Sequence, residues 1–150
     1  MNRFRQVGLL SVTAILALSG TAKAHAVCKS TDPIIEFTAR HIAIGFGYLW
    51  GHGTLYDGPH KYSLTIRGGG MPGVGGISLE GTGCVRNLAR ITNFNGTYWT
   101  VGGTATINHG TAGIVMENAQ GVDIQINAKT KGAQLSGQIG RLYLHLGDSK

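Results

Sequence analysis

The residues of this chain able to carry chemistry are histidines, a cysteine pair and a sparse set of carboxylates. Beyond His25, the histidines are His41, His52, His60, His109 and His145. A metal centre needs two to four converging ligands, usually closely spaced on one element. The chain has no H-x-H, no H-E-x-x-H and no close cysteine pair, so no metal ligand is assigned. His52 and His60 flank one expected hairpin and could meet across it. The acids are Asp32, Glu36, Asp57, Glu80, Glu117, Asp123 and Asp148. General acid–base hydrolysis wants two carboxylates facing one cleft, and Glu80 with Glu117 is the pair that could face across a sheet. No serine lies in a G-x-S-x-G elbow. The run Gly68-Gly69-Gly70-Met71-Pro72-Gly73 matches G-x-G-x-x-G, but Pro72 removes a backbone donor and no Gly-Lys-Ser/Thr follows. It reads as a flexible hairpin loop. No catalytic residue and no cofactor is assigned, and the expectation is a protein without enzymatic activity.

Cys28 and Cys84 are the only cysteines. The segment ahead of them has the form of an export signal. Arg3 and Arg5 form a basic start, Val7 to Leu18 is apolar, Gly20 breaks the helix, and Ala24-His25-Ala26 fits an A-x-A cleavage site. The expected division is a signal peptide over 1–26 and a single domain over 27–150, in the periplasm or outside the cell. In that oxidising setting Cys28 and Cys84 pair naturally. Such a bridge closes a loop of about 55 residues and contributes roughly 4 kcal/mol through the unfolded state. The formal charge of the whole chain is +6. Loss of Arg3, Arg5 and Lys23 halves that excess, and the remaining cations form no run, so no nucleic-acid partner is expected.

Period-two alternation dominates the rest. Ile42, Ile44, Phe46, Tyr48 and Trp50 share one face, opposite Ala43, Gly45 and Gly47. Tyr62, Leu64 and Ile66 form a second such run. Trp99 and Val101 oppose Tyr98 and Thr100, and Val122, Ile124, Ile126 and Ala128 form another. Each is the signature of a strand with one buried face. Leu135 and Ile139 are out of phase with Leu142, Leu144 and Leu146, which asks for a bulge near Gly140. Turn signals stand at Asp57-Gly58-Pro59, Asn95-Gly96, His109-Gly110, Gln120-Gly121 and Lys131-Gly132. Asp32-Pro33 reads as a cap and first position of a short helix ending near Arg40. Val85 to Phe94 is the one break in the alternation and suits a helical turn across a barrel end. The expected fold is all-β, a small antiparallel barrel or strongly curled sheet of seven to eight strands with a short N-terminal helix.

Amphipathic aromatics add a possible interface. Tyr48, Trp50, Tyr56, Tyr62, Tyr98 and Trp99 suit a membrane-interface or ligand surface, or simply core and ordinary surface. An integral outer-membrane barrel competes, because alternation alone does not say which face meets lipid.

From Gly51 on, the pattern resembles the SYLF lipid-binding domain and, more closely, bacterial envelope-integrity proteins of the EipA type. The residues are Gly51-His52-Gly53-Thr54-Leu55-Tyr56, Gly58, His60-Lys61 and the glycine run to Gly76. They continue with Asn87-Leu88, Phe94 to Ala105, Gly113, Ala119-Gln120-Gly121-Val122, Lys131-Gly132 and Gly140-Arg141-Leu142. The resemblance implies a non-enzymatic β-barrel of the cell envelope associated with lipid or envelope integrity. On that reading Ile34, Ile35, Phe37, Tyr48, Trp50 and Trp99 are the candidate lipid or membrane contacts. A secreted binding or inhibitor module for another macromolecule is the remaining alternative.

Overall fold

The structure, a computed structural model, describes residues 28–108, 111–134 and 140–149. The expected signal peptide, the His109-Gly110 turn and the out-of-phase Leu135 and Ile139 lie outside these residues. Six continuous strands follow one another: β1 (Ile34–Asp57), β2 (His60–Arg86), β3 (Gly96–Asn108), β4 (Thr111–Asn118), β5 (Asp123–Gln134) and β6 (Arg141–Ser149). A short 3-10 turn, Ile91–Phe94, sits in the expected break between β2 and β3.

All pairings are antiparallel, and they close on themselves. β2 pairs along its whole length with β1. Its other edge meets β6 from Tyr62 to Gly68 and β5 from Gly75 to Arg86. The circuit runs from β2 to β6, β3, β4, β5 and back to β2. Each step reverses direction and the number of steps is odd. The two parts of β2 therefore run oppositely, and β2 folds over between Gly68 and Gly75. β1 follows it, so the first hairpin is doubled over and supplies the wall more than once. Counted by passes along the wall, the closed barrel falls in the expected range of seven to eight strands.

The glycine run is thus no loop. Residues 68–76 are strand paired with 42–49, and the register slips by one between Gly47 and Tyr48. The fold-over needs glycine on both arms. Gly45 has φ +84°, in the left-handed region. A β-carbon on Gly47 would collide with the ring of His41, which is itself buried beneath the bend. Turn dipeptides and strand glycines look alike in sequence, and here the glycines serve tight coiling. Lys131-Gly132 is likewise no turn but the interior of β5. The Asp57-Gly58-Pro59 hairpin and the Gln120-Gly121 turn are present, with Gly58 at φ +56° and Gly121 at φ +76°.

No helix forms over Pro33 to Arg40. Asp32 instead closes a turn, accepting from the Lys29 backbone N–H at 2.9 Å and pairing with Arg86 at 3.6 Å. The Pro33 carbonyl accepts from Val85 N–H at 2.9 Å, and the strand register with β2 starts at the next residue. Ile34, Ile35, Phe37 and Thr38 are β-branched or aromatic, and pairing with β2 outweighs a capping signal. Cys28 and Cys84 form the expected disulfide, with Cα atoms 5.4 Å apart and a sequence separation of 56.

The interior is apolar and filled. Leu64, Leu79, Ile114, Ile124, Ile126 and Leu144 point inward from four strands and are buried. The space left among them is about 20 Å³, room for about one water and far short of the few hundred Å³ of a ligand cavity. At one end Phe94 and Tyr98 close the core with rings 5.8 Å apart. The Tyr98 hydroxyl donates to the Phe94 carbonyl at 2.7 Å. Burial pushes the Tyr98 phenol pKa up, and a hydrogen bond with Asn118 opposes this more weakly.

Candidate functional site

The long apolar face of β1 is outside the barrel. Its inward positions are Ala39, His41, Ala43, Gly47 and Leu49. The outward ones are Ile42, Ile44, Phe46, Tyr48 and Trp50, with Ile44 88% and Phe46 82% exposed. This reverses the expected burial of that face. The physical reason is the fold-over: on the inside of a sharply doubled hairpin there is room only for small side chains. The large residues of the same strand must point to solvent. At the start of β3, Tyr98 is buried while Trp99 and Val101 are exposed.

These exposed groups are neighbours. Across the outer wall Trp50 opposes Arg67, Arg67 opposes Tyr143, and Arg141 opposes Trp99. Ile44 opposes Val74, also exposed, at the crest of the doubled hairpin. Tyr48 and Trp50 stack with centroids 6.0 Å apart and planes at 20°. The result is an apolar crest rimmed by aromatic rings, with Arg67 and Arg141 set among them.

Of the six candidate contacts, Tyr48, Trp50 and Trp99 lie on this surface. Ile35 is a core residue, 1% exposed, and offers no surface for contact; Ile34 and Phe37 are half-buried at the other end of β1. Sequence reasoning missed Ile44, Phe46, Val101 and Tyr143. The run of alternate large residues opposite glycine and alanine was the available signal.

A second feature combines polar side chains with a larger share of apolar surface from Phe37, Ala128 and backbone glycines. A groove of about 810 Å³ crosses the outer wall over β1, β2, β5 and β4. Register places two outward rows on its floor: Glu36, Thr82 and Asn127, and beside them Thr38, Glu80 and Lys129. His52 and Gly53, from the returning arm of β1, form its side. The Thr38 hydroxyl and His52 Nε2 are 3.4 Å apart, and the Tyr56 hydroxyl donates to Glu36 at 3.3 Å. The edge of the Phe37 ring lies against Gly81, where a β-carbon would sit 2.9 Å from it. A neighbouring hollow of about 440 Å³ shares Thr38, His52 and Glu80 and ends on Arg40 and Trp50. Glu80 therefore shares a groove with Glu36, not with Glu117, which opposes Asp123 on β5. His52 opposes Thr65, and His60 is at the hairpin end beside Tyr62, so the two histidines do not meet. Among the described residues there is no cluster of three or more metal-ligating side chains.

Fold and bridge together define a class: a small, disulfide-bonded, closed antiparallel β-barrel with a solid apolar interior. The disulfide is the mark of a protein that folds outside the reducing cytosol. The chain is similar to a β-barrel-like, uncharacterized protein from Brucella abortus, with a TM-score of 0.48 and 20% identity over 75% of this chain and 72% of that one. No family model and no curated protein matches the sequence.

Proposed function

We propose that this is an exported envelope protein that docks non-enzymatically on a lipid surface through the crest of its doubled β1–β2 hairpin. The observation carrying this reading is the exposure of Ile44 and Phe46 at the crest, rimmed by Tyr48, Trp50, Trp99 and Tyr143. Aliphatic groups at a tip with aromatic rings behind them match the layering of a bilayer's core and interface. Arg67 and Arg141 lie in the aromatic rim, where their guanidinium groups suit lipid phosphates. The resemblance to envelope-integrity and lipid-binding β-barrels points the same way. The filled interior favours surface contact over carriage of a lipid inside the barrel.

An integral outer-membrane barrel fits less well. A membrane-spanning barrel keeps its apolar side chains outside on every strand and its polar ones within. Here the interior is aliphatic, and β5 turns Asn127 and Lys129 outward.

The test is co-sedimentation of the disulfide-bonded domain with vesicles of phosphatidylcholine alone or mixed with phosphatidylglycerol. Pelleting with the anionic vesicles, lost in Phe46→Ser, is expected. A protein that stays in the supernatant with both vesicle types sinks the lipid reading and leaves the fold untouched.

A further inference from the structure

The groove lies away from Ile44 and Phe46, with Trp50 standing between the two, and its polar side chains are chemically selective. Glu36 and Glu80 offer only acceptors when ionised, Lys129 only donors, and Asn127, Thr38 and Thr82 both. A ligand filling it must present donors and acceptors in alternation along its length. The charges are mixed, with two carboxylates against one lysine, so a polyanion is repelled as much as attracted. A peptide strand recognised through its backbone needs a free sheet edge. β2, β5 and β4, which carry most of the floor, are hydrogen-bonded on both sides there. Recognition must come from side chains.

Shape and aromatic placement narrow the class. Four strands side by side span about 14 Å at roughly 4.8 Å per step, and about 810 Å³ is in the range of small-ligand sites. At the far end of the adjoining hollow stands Trp50, 39% exposed and steadied by its stack on Tyr48. A fixed, half-exposed indole gives a flat apolar platform, and the C–H face of a sugar ring is the flat apolar surface of an otherwise polar ligand. The polar groups sit on strands, which hold them rigidly.

We propose that this groove binds a glycan: a neutral or zwitterionic oligosaccharide lying across β1, β2 and β5. One ring stacks on Trp50, and hydroxyl or amide groups are held by Glu36, Glu80, His52, Asn127 and Lys129. An envelope location makes cell-wall glycan the available polymer of this chemistry.

The experiment is a titration of isotope-labelled, disulfide-bonded protein with chitotetraose, followed by backbone amide NMR, with sedimentation on purified peptidoglycan sacculi beside it. Expected are saturable shifts at residues 36–38, 52, 80–82 and 127–129. The double variant Glu80→Gln/Asn127→Ala should weaken binding about tenfold or more, and so should Trp50→Ala. Both sites are on the surface, and an unchanged melting temperature shows that the fold is kept. Trp99→Ala, on the apolar face away from the groove, should leave glycan binding as it was while lowering vesicle binding. Absence of shifts and of sacculus binding overturns the proposal, as do shifts centred outside the groove. Tighter binding of a sulfated glycan than of chitotetraose also overturns it, because the carboxylates would then not be contacts.

Discussion

On the outer face of β1, Glu36, Thr38 and Arg40 are followed in the same register by Ile42, Ile44, Phe46, Tyr48 and Trp50. Nothing changes in the backbone parity between the two stretches. What changes is the space behind the strand. Near the disulfide, Ile35 and Phe37 project inward and meet Val85, Ile126 and their neighbours, so the core takes the apolar residues and water takes the polar ones. At the crest the hairpin doubles back, the inward positions shrink to Ala43 and Gly47, and the bulky residues are displaced outward. One end is thus built for stability. The other spends apolar surface on solvent, which folding alone does not favour.

Mutations should separate the two ends. Phe94→Ala, at the closed end, should have the largest effect, about 3–5 kcal/mol lost in urea unfolding, because Phe94 is fully buried against Tyr98. A loss below about 1 kcal/mol would mean that this end is not the stable one. Replacing both Cys28 and Cys84 by serine should cost about 2–5 kcal/mol, with vesicle binding per folded molecule unchanged. Asn118→Ala should follow at roughly 1–3 kcal/mol. The Asn118 side chain accepts from the Gln120 and Val122 N–H groups at 3.0 Å and donates to the Asn93 carbonyl at 2.8 Å. Phe46→Ser should move stability by no more than about 0.5 kcal/mol while abolishing vesicle pelleting. If it unfolds the protein, the crest is structural and the contrast between the ends fails.

The smallest effect concerns pH. The Tyr98 phenol has its folded pKa raised by burial. The folded state therefore holds this proton more tightly than the unfolded chain. Its contribution is fully present below the unfolded value near 10 and is lost as pH rises above it. Thermal melts from pH 8 to 11 should show a decline above about pH 10 that is shallower in Tyr98→Phe.

Much of the architecture was legible along the chain. Alternation announced the strands, Asp57-Gly58 and Gln120-Gly121 announced their turns, and Leu142, Leu144 and Leu146 are inward as their phase requires. The groove was not legible, because Glu36, Glu80 and Asn127 are far apart in sequence and only strand register sets them in adjacent rows. The helix assigned to Pro33–Arg40 failed for a related reason. A local capping signal is weak beside a strand partner supplied from residues 78–84.

The sequence by itself determined that this is an alternating, glycine-rich β chain with one available disulfide, since period two and two cysteines are local facts. Which face of each strand is the inside was left to the tertiary structure. Alternation has two faces and no sign. At the crest the sign is set by where the doubled hairpin leaves room, which puts Ile44 and Phe46 in solvent; at the closed end packing against Phe94 puts Tyr98 in the core.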